Sequence, residues 1–284
     1  MKIAVIILPL SVVLLFSCQK EIDFTGGNNV DAGALPDVLL VKTVQKSGSD
    51  SVVDSYSYDA NKRLSSLKRE GTDDQGNFLN TEYYFHRNAS GIITDYSAID
   101  PSLFVVGIDS ISTIVHYSNS RYSSYVVKIT VPGFLLLDSS VLVYDGAGRV
   151  IGENDYQSPS ATGQDYYMSG KITYSYSANG NLTGFVLHDY NQSGSEIFRA
   201  TTSNIRYDTK INPLHFGNEA FVLGHSEWFS ANNITSEQLS DSISPSDDQT
   251  VTTTYNYNNG GRPETSVTTV APDNTVINTA YYYQ

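Results

Sequence analysis

The chain has 284 residues, 30 acidic against 17 basic, and a formal net charge of −13. An acidic surface of this kind repels phosphate backbones and anionic lipid, which argues against nucleic acid as a partner, favours solubility and leaves room for weak Ca2+ binding. There are 21 tyrosines and a single cysteine, so no disulfide can form within the chain and its stability must come from burial and backbone hydrogen bonding.

Residues 1–17 open with Met1-Lys2, run apolar from Ile3 to Phe16 with breaks only at Pro9 and Ser11, and end on Ser17. A short positive start, an apolar stretch and a small residue before a cut are the parts of a secretory signal, and the run is shorter than the about 20 residues of a spanning helix. Leu15-Phe16-Ser17-Cys18 resembles the lipobox of bacterial lipoproteins, with Phe16 bulkier than the usual occupant. The resemblance implies a diacylglycerol thioether on Cys18 and an acylated new N-terminus, hence a lipid anchor in the outer membrane. Gln19-Lys20-Glu21-Ile22-Asp23 lacks the Asp after the Cys that retains lipoproteins at the inner membrane, and is similar to the short charged signal of surface-exposed Bacteroidetes lipoproteins. Residues 18–36 are expected to be the acylated Cys and a flexible tether, rich in Gly, Asn and Ala. Residues 37–284 are expected to form one domain.

That domain is written in repeats. Tyr56-Ser-Tyr58-Asp-Ala-Asn-Lys-Arg-Leu64 has partners at Val143-Tyr144 to Val150, Tyr174-Ser-Tyr176 to Leu182 and Tyr255-Asn-Tyr257 to Pro263. Weaker copies start at Tyr84-Phe85, His116-Tyr117, Arg206-Tyr207 and Trp228-Phe229, and a half-copy closes the chain at Tyr281-Tyr282-Tyr283. The second aromatic of each copy falls at 58, 85, 117, 144, 176, 207, 229, 257 and 283, with gaps of 22 to 32 residues. Before each anchor, residues alternate as in a half-buried strand: Ile172, Tyr174 and Tyr176 on one face, Thr173 and Ser175 on the other. After it come Asp, Ser or Asn and, three residues on, Gly148, Gly180 or Gly261, the signature of a type I turn with a left-handed Gly bulge. Lys62 replaces that Gly in the first copy, so its turn is expected to be more strained. The fold class is therefore all-β, an antiparallel meander of roughly 15–18 strands from repeated hairpins, barrel-like or an open curved sheet. The nearest helical candidate, Asn233 to Leu239, is about two turns at most.

Tyr144-Asp145-Gly146-Ala147-Gly148-Arg149-Val150 resembles the YD (Rhs-type) repeat, which builds β-sheet shells in much larger proteins. A resemblance covering nearly the whole mature chain is to a Bacteroidetes lipoprotein family of unknown function with a porin-like fold. It rests on the Tyr-x-Tyr units, on Asn212-Pro213-Leu214 after Tyr207, and on Asn232-Asn233-Ile234-Thr235. It implies a porin-like barrel and transfers no catalytic residues.

A membrane-embedded barrel needs an apolar outer band. Leu64 to Glu70, with Lys68, Arg69 and Glu70, carries too much charge for a lipid face, and the chain ends on Tyr283-Gln284 rather than an aromatic residue. A water-exposed, acyl-tethered domain is the expectation. Chemistry is sparse: His86, His116, His188, His215 and His225 fall in different units without metal-ligand spacing, and there is no HExxH or GxSxG motif. No catalytic residue, metal or cofactor is assigned, and no enzyme is expected. Asp73-Asp74-Gln75-Gly76-Asn77 reads as a hairpin turn rather than a Ca2+ loop, since Tyr84 stands where the loop's Glu belongs, and Asp247-Asp248 reads likewise as solvated. Asp50-Ser51-Val52, Asp109-Ser110-Ile111 and Asp241-Ser242-Ile243 resemble a Bacteroidetes O-glycosylation acceptor.

Trp228, the only tryptophan, and Phe229 are the candidate ligand-binding residues, because flat aromatic faces bind sugar rings. The competing reading is cross-strand packing. The function expected is a noncatalytic outer-membrane or cell-surface lipoprotein binding an extracellular glycan or protein. The alternatives are a structural or accessory envelope protein, docked through sheet edges left open, and a membrane-embedded barrel.

Overall fold

The computed structural model describes residues 38–72, 78–131, 134–158, 166–243 and 248–284. The secretion signal, Cys18, the tether and the Asp73–Asn77 stretch lie outside them. Sixteen strands follow one another: β1 Leu40–Ser47, β2 Asp50–Tyr58, β3 Leu64–Thr72, β4 Phe78–Arg87, β5 Ile93–Ile99, β6 Ile111–Ser118, β7 Arg121–Val131, β8 Phe134–Tyr144, β9 Val150–Ser158, β10 Tyr167–Tyr176, β11 Leu182–Tyr190, β12 Glu196–Tyr207, β13 Ile234–Asp241, β14 Gln249–Tyr257, β15 Pro263–Ala271 and β16 Thr275–Tyr283. Each pairs antiparallel with its neighbours in sequence, and β1 pairs with β16 from Leu40↔Tyr283 to Lys46↔Asn278, so the meander closes into a barrel. Closure leaves no free sheet edge, which corrects the expectation of open edges for strand addition: every strand already has two partners.

The repeat anchors acquire a positional meaning. Tyr58, Tyr144, Tyr176, Tyr207, Tyr257 and Tyr283 are the last residues of even-numbered strands, and Phe85 and Tyr117 lie near the ends of β4 and β6. All eight therefore gather at one rim. The turns that follow are built as their sequence suggests. Asp59 Oδ1 accepts from the N–H groups of Asn61 (2.8 Å) and Arg63 (3.0 Å), while Oδ2 accepts from Arg63 Nε (2.9 Å). Asp145 repeats the arrangement with Ala147 and Arg149, and Asn258 Oδ1 repeats its backbone half, accepting from the N–H groups of Gly260 and Arg262. The fourth turn position is left-handed, with φ of +83° at Gly148 and +60° at Lys62, so the first copy does hold a non-Gly residue in the region that favours glycine.

The tyrosine hydroxyls do a second job. Neighbouring hairpins are unconnected at this rim, and the anchors bridge that gap. Tyr58 donates to Leu40 O (2.7 Å), Tyr144 to Tyr122 O (2.6 Å), Tyr283 to Pro263 O (2.8 Å), and Tyr176 to Val150 O. In each case the acceptor lies at the start of the preceding strand, so the bond ties one hairpin to the one before it.

The ninth anchor departs from the pattern. Between β12 and β13, residues 208–233 form no strand; they carry a short helix α1, Glu219–Val222, and a 3-10 turn, Ser226–Trp228. Trp228-Phe229 is thus a correction: the aromatic pair looks like a strand end but belongs to a plug whose side chains join the barrel's core. The helical candidate Asn233 to Leu239 is corrected too: Ile234–Asp241 is β13, held extended by antiparallel pairing with β12 and β14.

Candidate functional site

The plug is held by paired polar groups around a fully apolar centre. Leu214, Ala220, Phe221 and Val222 are at most 1 % exposed, and Trp228 is 3 % exposed. Trp228 is stacked on His225 with centroids 3.7 Å apart, and Phe216 and Tyr56 meet it edge-on at 5.4 and 6.4 Å. Phe221 lies edge-on to Tyr174 of β10 at 4.8 Å, and Phe229 meets Tyr176 at 5.4 Å. The two aromatic residues singled out by sequence are therefore brought together inside the barrel mouth with their faces covered by side chains of the chain itself.

Around that centre the plug is fastened to the turns. Arg87 of β4 holds Glu219 in a bidentate pair (2.6 and 2.9 Å), and Tyr122 donates to the same carboxylate (2.8 Å). Tyr96 donates to Val222 O (3.1 Å), Asn218 to Gly148 O (3.3 Å), and Leu182 N–H to Ser230 Oγ (3.1 Å). At its base Asp208 accepts from Asn233 Nδ2 (2.8 Å) and from the Tyr257 hydroxyl. These contacts reach β4, β5, β7, β11 and β14 and the β8–β9 turn, so the plug is bonded round the rim rather than along one side.

The second unusual feature is an inner wall on β8 to β11 crowded with carboxyls. Glu153 and Asp155 project inward from β9, Asp138 and Ser140 from β8, and Asp189 from β11 across Gly170 of β10. Glu153 accepts from the hydroxyls of Tyr125 and Tyr174, and Asp155 from Ser140 Oγ (2.5 Å). Burial, with Asp155 adding to it, pushes Glu153 up to about 8. Burial, again reinforced by Asp155, takes Asp138 up to about 6, and burial raises Asp189. Asp138 Oδ1 is a buried oxygen that accepts no hydrogen bond. A Cβ on Gly170 would sit 3.0 Å from Asp155 Oδ2, so glycine gives this carboxylate its room.

Among the described residues no group of three or more His, Cys, Asp and Glu side chains is disposed to hold a metal ion. The histidines are engaged singly: His86 with Asp95, His188 with Glu196, and His225 with Glu227, each at 2.6 to 2.7 Å. Ser51, Ser110 and Ser242 all lie at the rim opposite the plug. The acidic wall escaped sequence reasoning because its carboxyls come from three strands and share only an inward position. The plug left a trace: without position 229, the spacing from 207 to 257 is about two units long.

No protein-family profile and no curated protein matches this chain. Solved structures do. One is described as a porin-like protein from Bacteroides vulgatus ATCC 8482, with 12 % identity over 87 % of this chain and 99 % of that one and a TM-score of 0.54. Another, a porin-like protein from Bacteroides uniformis ATCC 8492, has 12 % identity over 86 % and 96 % and a TM-score of 0.50. At this identity the likeness concerns the fold: the chain has a porin-like, sixteen-stranded barrel.

Proposed function

We propose that this chain is a noncatalytic envelope lipoprotein, a plugged barrel standing in water and tethered through Cys18 to the outer membrane, where it serves as a structural or accessory component. The observation that carries this reading is the outer wall. Lys68 pairs in register with Glu82 on β3 and β4 near mid-strand, Lys171 occupies the middle of β10, and β14 presents Thr250, Thr252 and Thr254. Lys68 also bridges to Glu70 (2.8 Å) on the same face. A lipid-facing band excludes such charge, at about 2–4 kcal/mol for a Lys at the bilayer midplane. The porin-like relatives make a membrane-embedded barrel the rival reading. Binding of an extracellular glycan or protein is a finer reading of the same accessory role, compatible with a rigid closed scaffold.

Every strand and the plug fall within residues 40–283. Residues 19–284, produced without the signal and Cys18, are accordingly expected to stay in solution without detergent, with a β-rich circular dichroism spectrum. A folded state reached only in detergent or lipid would replace this proposal with the membrane-embedded barrel. Mass spectrometry of the native protein checks the anchor, since a free Cys18 thiol contradicts it.

A further inference from the structure

The two rims show different surfaces to solvent. At the rim opposite the plug, six large apolar side chains stand out: Phe78, Phe104, Tyr166, Ile197, Ile243 and Val276, with Phe78 73 %, Ile243 69 % and Ile197 57 % exposed. They come from the starts of β4, β12 and β16, the 3-10 turn before β6, the residue ahead of β10 and the residues after β13. Single exposed apolar residues are ordinary, and the plugged rim has its own in Tyr117 and Tyr282, but the three most exposed large apolar side chains described all lie at the opposite rim, where six spread around one end of a closed barrel form a surface. The charged wall above it means that this crown does not continue into a lipid-spanning band.

The chain's own path indicates what the crown can meet. β1 starts and β16 ends at the plugged rim, where Leu39 and Gln284 exchange two backbone hydrogen bonds (3.0 Å each). The segment from residue 19 to residue 37 therefore joins the barrel at the plugged rim. Extended, it reaches at most about 65 Å, and a nine-residue strand is only about 30 Å long. A barrel anchored at Cys18 can thus lay its opposite rim on the bilayer that holds the anchor. We infer that the apolar crown seats the barrel rim-down on a neutral lipid surface, with its tips in the headgroup region and the plugged rim turned away. The membrane's proximity rests on the tethered-lipoprotein reading; the crown's affinity for lipid does not. Asp50, Asp100, Asp109 and Asp273 share this rim and oppose anionic headgroups.

The test is flotation of purified residues 19–284 with phosphatidylcholine vesicles. The protein is expected to float, and Phe78→Ser with Ile197→Ser and Ile243→Ser to lower vesicle binding about tenfold or more. Ile114→Ser with Val141→Ser, on the exposed outer wall, is expected to leave binding unchanged, and phosphatidylglycerol vesicles to bind less. If the triple variant does not fold, Ile243→Ser alone, beyond the end of β13, carries the comparison. Absence of flotation, or equal losses from the crown and wall variants, overturns the inference. So does a dimer in sedimentation that the crown variant abolishes, because it assigns the crown to a second copy. A chain that cannot be kept in solution without detergent defeats the function proposed above; a soluble one that ignores vesicles defeats only this inference.

Discussion

The barrel buries charge on two inner walls, and it treats them in opposite ways. On β2 and β3, Asp54 (3 % side-chain exposure) accepts from Arg69 Nε at 2.7 Å and from its Nη2 at 2.9 Å, a bidentate pair that satisfies both carboxylate oxygens. On β8 to β11, Glu153, Asp155, Asp138 and Asp189 share a wall with tyrosine and serine hydroxyls, and no ion pair forms there among the described residues. The difference teaches what low dielectric asks of a carboxyl group. A guanidinium in register gives both carboxylate oxygens charged donors; with only hydroxyls and other acids beside it, a buried carboxyl keeps its proton to a higher pH.

The largest effect is expected from making the first wall resemble the second. Arg69→Ala leaves Asp54 buried without its cation and is expected to cost about 3–5 kcal/mol, read as a shifted urea midpoint. A cost near that of a surface substitution would mean that the pair contributes no net stability. The converse change acts on the second wall. Because Glu153 titrates near 8 in the fold against about 4.5 ordinarily, the native state binds more protons than the unfolded chain between those values. Stability should then fall as pH rises across that window, and Glu153→Gln should flatten the slope and stabilise the barrel above pH 8 by a few kcal/mol, on the order of the linkage. Urea titrations at pH 5 and pH 8.5 check both statements, and an unchanged slope in the variant would place the pH dependence elsewhere.

Two smaller changes serve as controls for charge. Tyr58→Phe and Tyr176→Phe each remove one inter-hairpin bond, the first next to the paired wall and the second next to the acidic one. Each is expected to cost about 1 kcal/mol, independent of pH. A pH-dependent loss at Tyr176 alone would show that its hydroxyl is coupled to the carboxyl cluster. Smallest of all, Lys62→Gly relieves the left-handed position in the first turn, and a rise in melting temperature of about 2 °C is expected for roughly 0.5–1 kcal/mol.

Much of the fold was legible in the chain. Alternation ahead of each tyrosine specified strands, and the Asp or Asn followed by Gly specified turns, because both depend on residues within a few positions of one another. The aromatic pair at Trp228-Phe229 shows the limit of that reading. Locally it resembles the other strand ends, and only the space inside the barrel mouth explains why the segment folds inward instead of pairing. Trp228 gains more from burial against His225, Phe216 and Tyr56 than an exposed strand position would offer.

Composition and repeat spacing by themselves determined an all-β meander of hairpins with tyrosines at their ends, since strand alternation and turn chemistry are short-range and read directly from neighbouring residues. Closure of β1 on β16, the filling of one mouth by residues 208–233, the gathering of four carboxyls on one wall and the apolar crown at the other rim were decided by tertiary structure. Each depends on which of sixteen strands come to lie side by side and which rim a turn occupies, and those are properties of the closed barrel rather than of any one segment.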